Sequence, residues 1–337
     1  MRNTTRLLRA IVPAGLVVAL LVGTVPAGAA GLSNAQRAVR GARYIASKQS
    51  PNGSVHAFST VGSTADAVLA FVVARQGSYN VSRAVRYLRR HVASITSPGL
   101  QAKTVMALVA ADRNPRSVNG VNLVAALNGL LGSDGHYGST AVLDDALVVL
   151  ALEAARATLP ARAYAWLIGA QCPDGGWSYD APYDPPIDDT HCFNGDPVND
   201  YFTSDSNTTA YVLMALEAAN RTTWSADPFA FFDTVRDPAH HGWSYSTGFL
   251  STDANSTALV IQAYASASMA VPSGGMGALR DLQLGCGAWA YNWSGAARGA
   301  ADIGATIGAV PGIEKAPFPI EPHGFDTVRP AKPPACT

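Results

Sequence analysis

Two kinds of apolar segment alternate along this chain from about residue 31 onward. In the first kind, exemplified by Ala35–Gln49 and Ala161–Gln171, apolar residues recur with the spacing of one helix face, which predicts amphipathic helices. The second kind is rich in Ala, Leu and Val on nearly every face, as a helix enclosed by other helices must be. Segments of this second kind begin at Ser63, Leu100, Val142, Ser204, Thr252 and Ala300.

Loops that contain glycine and, in most cases, an aromatic residue come before the enclosed segments. They span residues 50–55, 133–139, 172–180, 240–246 and 286–292, and the last three share the pattern W-x-Y. The unit of amphipathic helix, loop and enclosed helix recurs about six times, with a degenerate second copy that has only Ile95–Gly99 as its loop. An all-α fold of helical hairpins follows, with the amphipathic helices outside.

Two stretches carry a more specific likeness. The patterns R-G-x-R-Y-I-x-x-x-Q-x-x-x-G-x-V, from Arg40 to Val55, and W-L-x-x-x-Q-x-x-x-G-G-W, from Trp166 to Trp177, resemble the QW repeat of squalene and oxidosqualene cyclases. The chain thus resembles the superfamily of terpenoid cyclases and protein prenyltransferases. The resemblance extends over about residues 33–310. It implies an α/α toroid of about six hairpins whose inner helices line a central cavity.

In that superfamily the Gln and Trp of the repeat brace consecutive hairpins. The residues to which this structural role carries over, with the tryptophans of the other W-x-Y loops, are Gln49, Gln171, Trp177, Trp243 and Trp289. An indole buries a large area while its N–H donates to a carbonyl, and a Gln amide can satisfy free groups at helix ends.

A toroid would gather the starts of its inner helices around one mouth of the cavity, which makes the polar residues there the candidate ligand site. These residues are Asp66, Gln101, Asp144, Asp145, Tyr179, Asn207, Tyr245, Asn255 and Asp302, with Tyr137 nearby. The alternative is that the Asp and Asn residues only cap their helices.

Catalytic signatures of the superfamily are incomplete. Type II cyclases use a D-x-D-D-like cluster, whereas Asp188 and Asp189 follow Pro186 without the leading aspartate. Prenyltransferases hold zinc with Asp, Cys and His from distant repeats, whereas Asp189, His191 and Cys192 lie together in one loop. If the protein is an enzyme, the candidates are Asp145, Asp188, Asp189 and His191.

The sequence therefore favours a non-catalytic toroid that binds a small molecule, a surface polymer or a partner at the cavity mouth. Segments 207–218 and 255–260 resemble the inner-helix starts of extracellular cobalamin carriers, which use this toroid without catalysis. The alternative is a secreted cyclase-like or carbohydrate-active enzyme that uses the mouth carboxylates.

Residues 1–30 are typical of a secretory signal peptide, with three arginines, an apolar run and small residues before the expected cleavage site. Removing these residues takes away three of the 24 basic residues and none of the 24 acidic ones. The remaining 21 basic and 24 acidic residues give a net charge near −3, which disfavours nucleic acid as a partner. We expect a secreted protein, soluble or associated with a cell wall, without a membrane anchor after processing.

An even number of cysteines in an exported chain favours disulfides over metal ligation. Of the three pairings open to Cys172, Cys192, Cys286 and Cys336, the local one joins Cys172 to Cys192 and Cys286 to Cys336. The acidic segment Asp180–Asp205 suggests calcium as an alternative to a plain solvated loop, and no other cofactor is predicted. Residues 311–337 are Pro-rich and predict an extended tail after a repeat domain at 31–310.

Overall fold

The fold consists almost entirely of α-helices. A computed structural model of the chain describes residues 31–138, 141–180, 192, 203–322 and 332–336. Within these ranges the α-helices are α1 Asn34–Lys48, α2 Thr60–Val73, α3 Ser78–His91, α4 Pro98–Ala110, α5 Leu123–Asn128, α6 Val142–Ala154, α7 Ala161–Gly169, α8 Ser206–Ala218, α9 Pro228–Thr234, α10 Ala254–Ser266, α11 Gly275–Asp281 and α12 Ile303–Ile313.

The even-numbered helices form a closed inner ring. Each packs against the next one in the series, and α12 returns to pack against α2. Their side chains are buried on every face, as Val68, Leu69 and Phe71 of α2 show. The odd-numbered helices lie outside and bury one face only, so that α3 buries Val85 and Leu88 against its neighbours. The predicted α/α toroid of six hairpins, α1–α2 through α11–α12, is confirmed.

Short antiparallel strands tie the loops to the inner helices. Strands β1 (Trp177–Ser178) and β2 (Ser204–Asp205) pair before α8, and β3 (Trp289–Ala290) and β6 (Ala301–Asp302) pair before α12. A further hairpin, β4 (Trp293–Ser294) and β5 (Ala297–Arg298), lies between the latter two. These pairings fix the loop aromatics relative to the start of each inner helix.

A threonine in the first turns of an inner helix holds the loop in four of the hairpins. The hydroxyls of Thr64, Thr209, Thr257 and Thr306 accept hydrogen bonds, at 2.9–3.0 Å, from the backbone N–H groups of Val55, Trp177, Trp243 and Trp289 respectively. The three tryptophans are fully buried. The indole N–H groups of Trp177 and Trp289 each donate at 2.7 Å to a carbonyl of the preceding outer helix. The loops of Trp177 and Trp289 therefore join both helices of their own hairpins, whereas the buried Trp243 indole N–H has no hydrogen-bond partner among the described residues.

Glutamines join one hairpin to the next. The Gln171 amide donates to the carbonyls of Gly175, in its own loop, and Ala226, before α9, both at 2.8 Å. The Gln49 amide does the same with Gly53 and Asn80. Both contacts match the bracing that the QW-like pattern implies.

The glycine in these loops is required by its conformation and by its surroundings. Gly175 has φ +91°, and a Cβ there would lie 2.5 Å from the carbonyl oxygen of Asp227. Gly53, with φ +99°, approaches the carbonyl of Arg83 in the same way. A side chain at either position would push the loop off the next outer helix.

Two disulfides are present, Cys172–Cys192 and Cys286–Cys336, which is the local pairing. The second bond ties the tail to the last loop. After α12 the chain does not leave the toroid at once, because Phe318 and Ile320 are buried. No helix among the described residues is long and apolar enough to cross a membrane. Residues 1–30, assigned above to a signal peptide, lie outside the described ranges.

Candidate functional site

The inner helices surround a cavity of about 640 Å³, a volume typical of small-molecule sites. Its wall combines aliphatic side chains with a smaller number of aromatic and polar ones. The aromatic and polar residues in the wall are Phe58, Ser63, Asp66, Lys103, Asn207, Tyr211, Tyr245, Asn255, Gln262, Tyr291, Asp302 and Phe318.

Exposed aromatic rings stand at the mouth of this cavity. The exposed fractions of Phe58, Tyr245 and Tyr291 are 83%, 46% and 41%. The backbone carbonyls of Tyr245 and Tyr291 accept hydrogen bonds at 2.9 and 2.8 Å from the first residues of α8 and α10. Such N–H groups have no partner inside their own helix. Each tyrosine is therefore held over the start of the inner helix that precedes it.

An ion pair lies deeper in the wall. Lys103 of α4 contacts Asp66 of α2 at 2.8 Å, and both side chains are about three-quarters buried. Burial opposes the charged form of Lys103, but the Asp66 carboxylate outweighs it and raises the pKa of the ammonium group. Lys103 is therefore charged across the physiological range, and its ion pair with Asp66 places a fixed dipole inside a largely apolar cavity.

Amide and hydroxyl groups face the same space. Asn207 and Asn255 stand two residues after Asp205 and Asp253, which cap α8 and α10. Within the described part of the chain, the Asn255 amide and the Tyr211 hydroxyl make no hydrogen bond. Both are available to a ligand.

The C-terminal segment forms part of the cavity wall. Phe318 stacks on Tyr211 with ring centroids 5.8 Å apart, and the Gln262 amide donates to the Ala316 carbonyl at 2.7 Å. Because Tyr211 and Gln262 lie further along α8 and α10 than Asn207 and Asn255, we place this contact at the inner end of the cavity, opposite the tyrosine rings.

The structure brings together Asp66, Asn207, Tyr245, Asn255 and Asp302 of the predicted ring. Asp302 also caps α12, accepting the Ala305 N–H at 2.7 Å. Gln101 does not line the cavity, because its amide donates at 2.8 Å to the Ile95 carbonyl in the loop of its own hairpin.

Asp145 is also absent from the cavity wall. It is 1% exposed and accepts the backbone N–H of Tyr137 at 3.2 Å, the place that threonines fill in other hairpins. Burial raises the pKa of Asp145 to about 8 and lowers the pKa of His136, whose ring lies 3.6 Å away. Both groups are therefore mainly neutral near pH 7, and their contact is not an ion pair.

Asp144 and Tyr179 lie close to the mouth without lining the cavity. The Asp144 carboxylate packs against Gly99 at the start of α4, where a Cβ would lie 2.1 Å from its oxygen. Tyr179 is 45% exposed, and its carbonyl accepts the Val142 N–H at 2.8 Å, as in the other W-x-Y loops.

Other candidates fall outside the described residues. They are Asp188, Asp189 and His191, with most of the Asp180–Asp205 segment considered for calcium. Among the residues that are described, no three His, Cys, Asp or Glu side chains group as metal ligands.

Sequence reasoning missed Phe58, Lys103, Tyr211, Gln262 and Tyr291 in the cavity wall. Signals for three of them were present. Tyr291 is the tyrosine of the third W-x-Y loop, Tyr211 follows Asn207 by one helical turn, and Lys103 is a lone charge in an otherwise apolar helix. Phe58 and Gln262 could be assigned only once the neighbouring helices were in place.

Comparison with known proteins shows likeness at the level of fold. No protein-family profile and no curated protein sequence matches the chain. Solved structures of the α-1,6-mannanase GH76A of Salegentibacter sp. HEL1_6 do match. The mannanase itself is 12% identical with a TM-score of 0.52, covering 84% of this chain and 98% of the other.

Two inactive variants of that mannanase, in which two consecutive aspartates are replaced, match similarly. The asparagine variant, in complex with α-1,6-mannotriose, has 11% identity and a TM-score of 0.51, covering 84% of this chain and 98% of its own. The alanine variant, in complex with α-1,6-mannotetrose, has 12% identity and a TM-score of 0.52, covering 84% and 97%. The chain thus shares the α/α toroid fold of this mannanase.

Proposed function

We propose that this protein binds a neutral oligosaccharide in the central cavity of its toroid. The observation that carries the proposal is the set of exposed rings at the cavity mouth, Phe58, Tyr245 and Tyr291, above amide and hydroxyl groups without internal partners. Large aromatic rings that remain in water at the edge of a concave site are costly unless they contact a ligand.

The chemistry of these groups suits a sugar. A pyranose ring has an apolar C–H face that can stack on a tyrosine or phenylalanine ring, and hydroxyls at its edge. The Asn255 amide and the Tyr211 hydroxyl can donate to and accept from such hydroxyls. The ion pair of Asp66 and Lys103 adds charged hydrogen-bonding groups without a net charge.

The mannanase complexes support the same ligand class, since a protein of this fold binds α-1,6-mannotriose and α-1,6-mannotetrose. The two disulfides support the expectation that the protein acts outside the cytoplasm, where such ligands occur as surface polymers.

Isothermal titration calorimetry with α-1,6-mannotriose, α-1,6-mannotetraose and a panel of other neutral oligosaccharides tests the proposal. We expect Tyr245→Ala to weaken the best ligand by about tenfold, because a stacked ring and its hydroxyl contact are lost. Phe249→Ala is the matched control, since Phe249 is 79% exposed but does not line the cavity.

Squalene is included as a competing ligand, because the resemblance to terpenoid cyclases would place an isoprenoid in the cavity. Binding of squalene with no response to any oligosaccharide would overturn the proposal. So would oligosaccharide binding that Tyr245→Ala leaves unchanged.

Glycoside hydrolysis is a second candidate, favoured by one observation. The mannanase is inactive when two consecutive aspartates are replaced, and this chain has the consecutive pair Asp144 and Asp145 at the start of α6. Asp145 accepts the Tyr137 N–H, and Asp144 stands beside it at the start of α6, so this candidate assigns the acid or base role to Asp144. Mass spectrometry of the incubated ligand should then show shortened chains with the wild type and intact chains with Asp144→Asn.

A further inference from the structure

The outer face of α3 carries an unusual concentration of arginine. Arg83, Arg86 and Arg90 follow one another at helical spacing, Arg89 lies beside them, and Arg113 comes from the segment after α4. We call these five residues the arginine groove. Helix α3 contains no acidic residue at all.

The groove is concave. One recess, of about 460 Å³, is lined by Arg86, Arg89, Arg90 and Arg113. A second, of about 260 Å³, is lined by Arg83, Arg86 and Arg90, so the two recesses share Arg86 and Arg90. Neither lining includes an Asp or Glu. The guanidinium groups therefore border one continuous depression across α3.

Within the described ranges, none of these arginines forms an ion pair with a carboxylate. Arg83 donates to the Ser50 carbonyl at 2.5 Å, and Arg89 donates to the Asn119 side chain at 3.3 Å. Arg86 and Arg90 make no hydrogen bond to the described protein. Their donors are therefore free to bind a ligand from solution.

A helix C-terminus favours cations, and this accounts for Arg89 and Arg90 in the last turn of α3. It does not account for Arg83 and Arg86 further back, or for Arg113 in another segment. Five like charges so close together repel one another in the free protein, and an anion would relieve that repulsion.

We propose that the arginine groove binds an anionic polysaccharide through its sulfate, phosphate or carboxylate groups. Guanidinium groups pair in bidentate fashion with such oxyanions. Two recesses that share Arg86 and Arg90 suit a chain with repeated charges better than a single ion. A bilayer is flat, and Tyr79 is the large exposed apolar side chain in the lining, so the depression suits a polymer better than a membrane.

The site is distinct from the central cavity and does not depend on what that cavity holds. The two share no lining residue. A protein with both sites could hold a charged polymer on its outer face while a neutral sugar occupies the cavity.

The test is calorimetric titration of the full chain with three polysaccharides, heparin for sulfate, a phosphomannan for phosphodiester and polygalacturonate for carboxylate, at low and high ionic strength. The variant Arg86→Gln/Arg90→Gln removes the two arginines without internal bonds, so folding is preserved. We expect it to weaken the best polymer at least about tenfold and to reduce the dependence of binding on salt. The matched control, Arg221→Gln/Lys315→Gln, removes two exposed cations elsewhere and should bind as the wild type does.

The proposal is overturned if none of the three polymers binds, or if the double variant and its control lose affinity equally. It is also overturned if phosphatidylglycerol vesicles or duplex DNA bind through Arg86 and Arg90 while the polysaccharides do not. Titration of the double variant with the cavity oligosaccharide should give the wild-type affinity, which separates failure of this proposal from failure of the cavity proposal.

Discussion

At the scale of single residues, Asp145 shows how one substitution within a repeat changes chemistry. In hairpins α1–α2, α7–α8, α9–α10 and α11–α12 a threonine hydroxyl accepts the N–H of the loop residue. In hairpin α5–α6 the carboxyl group of Asp145 does so instead, and it is buried as the threonines are. The contact is kept, but the group can now titrate.

The folded-state pKa of Asp145 is about 8, against an ordinary value of 3.8. The folded protein therefore binds a proton that the unfolded chain releases, and this stability is complete below about pH 4 and is lost as pH rises through 8. We expect the wild-type free energy of unfolding to fall between pH 6.5 and 8.5 by at least about 1.4 kcal/mol, the equivalent of one pKa unit. Urea denaturation at several pH values measures it.

Asp145→Thr, which restores the residue found in other hairpins, should remove this slope while keeping the hydrogen bond. The window above pH 6.5 avoids the titration of Asp205 and Asp253, whose pKa values burial raises to about 6. Identical slopes in wild type and variant would show that Asp145 ionises normally in the folded state.

At the scale of elements, the glutamine of each QW-like repeat acts as a bracket between hairpins. Gln171 donates to two carbonyls and accepts from the N–H groups of Ser225 and Ala226 at 2.7 and 3.1 Å. A single side chain therefore satisfies four backbone groups that no helix or strand includes. Helix α9 is too short for helix propensity alone to keep it folded, so it depends on such contacts with the preceding hairpin.

Gln171→Ala should lower the free energy of unfolding by about 1–3 kcal/mol, because backbone groups lose partners that water replaces poorly. Equilibrium urea denaturation is the measurement. Gln76→Ala serves as the control, since the Gln76 amide donates only to the neighbouring Arg75 carbonyl at 3.4 Å. Equal losses in the two variants would argue against the bracket.

At the scale of the whole molecule, the ring must close between its last and first hairpins. Gln283 donates to the Arg37 carbonyl at 3.0 Å and accepts from the Arg37 guanidinium at 3.1 Å. The same amide also donates to the Gly287 carbonyl, so Gln283 closes the ring with the same contacts that the other glutamines make between hairpins. Helices α1 and α12, at opposite ends of the repeat domain, pack together at this seam.

The segment after α12 completes the cavity wall at its inner end. Phe318→Ala should destabilise the protein by about 3 kcal/mol, because a buried ring stacked on Tyr211 is replaced by a void. Thermal and urea denaturation test this, with Phe249→Ala as the control. A variant as stable as that control would mean that the segment packs only loosely on the toroid.

Much of the fold was predictable because it repeats. The spacing of apolar residues separated outer from inner helices, and the recurrence of Gly, Trp and Tyr located the loops between them. The site was predictable in part: Asp66, Asn207 and Asn255 were found from their positions near the starts of apolar helices. Asp145 has the same sequence signal, yet it turns to the loop and not to the cavity.

The sequence by itself determined the hairpin, because helix periodicity, loop glycines and buried tryptophans are local properties of each repeat. Tertiary structure alone decided which polar groups share the cavity, since that depends on the rotation of each inner helix within the ring. Tertiary structure also decided that Phe318 lines the cavity and that Arg113 joins the arginines of α3. These contacts join segments far apart in the chain, and no local pattern encodes them.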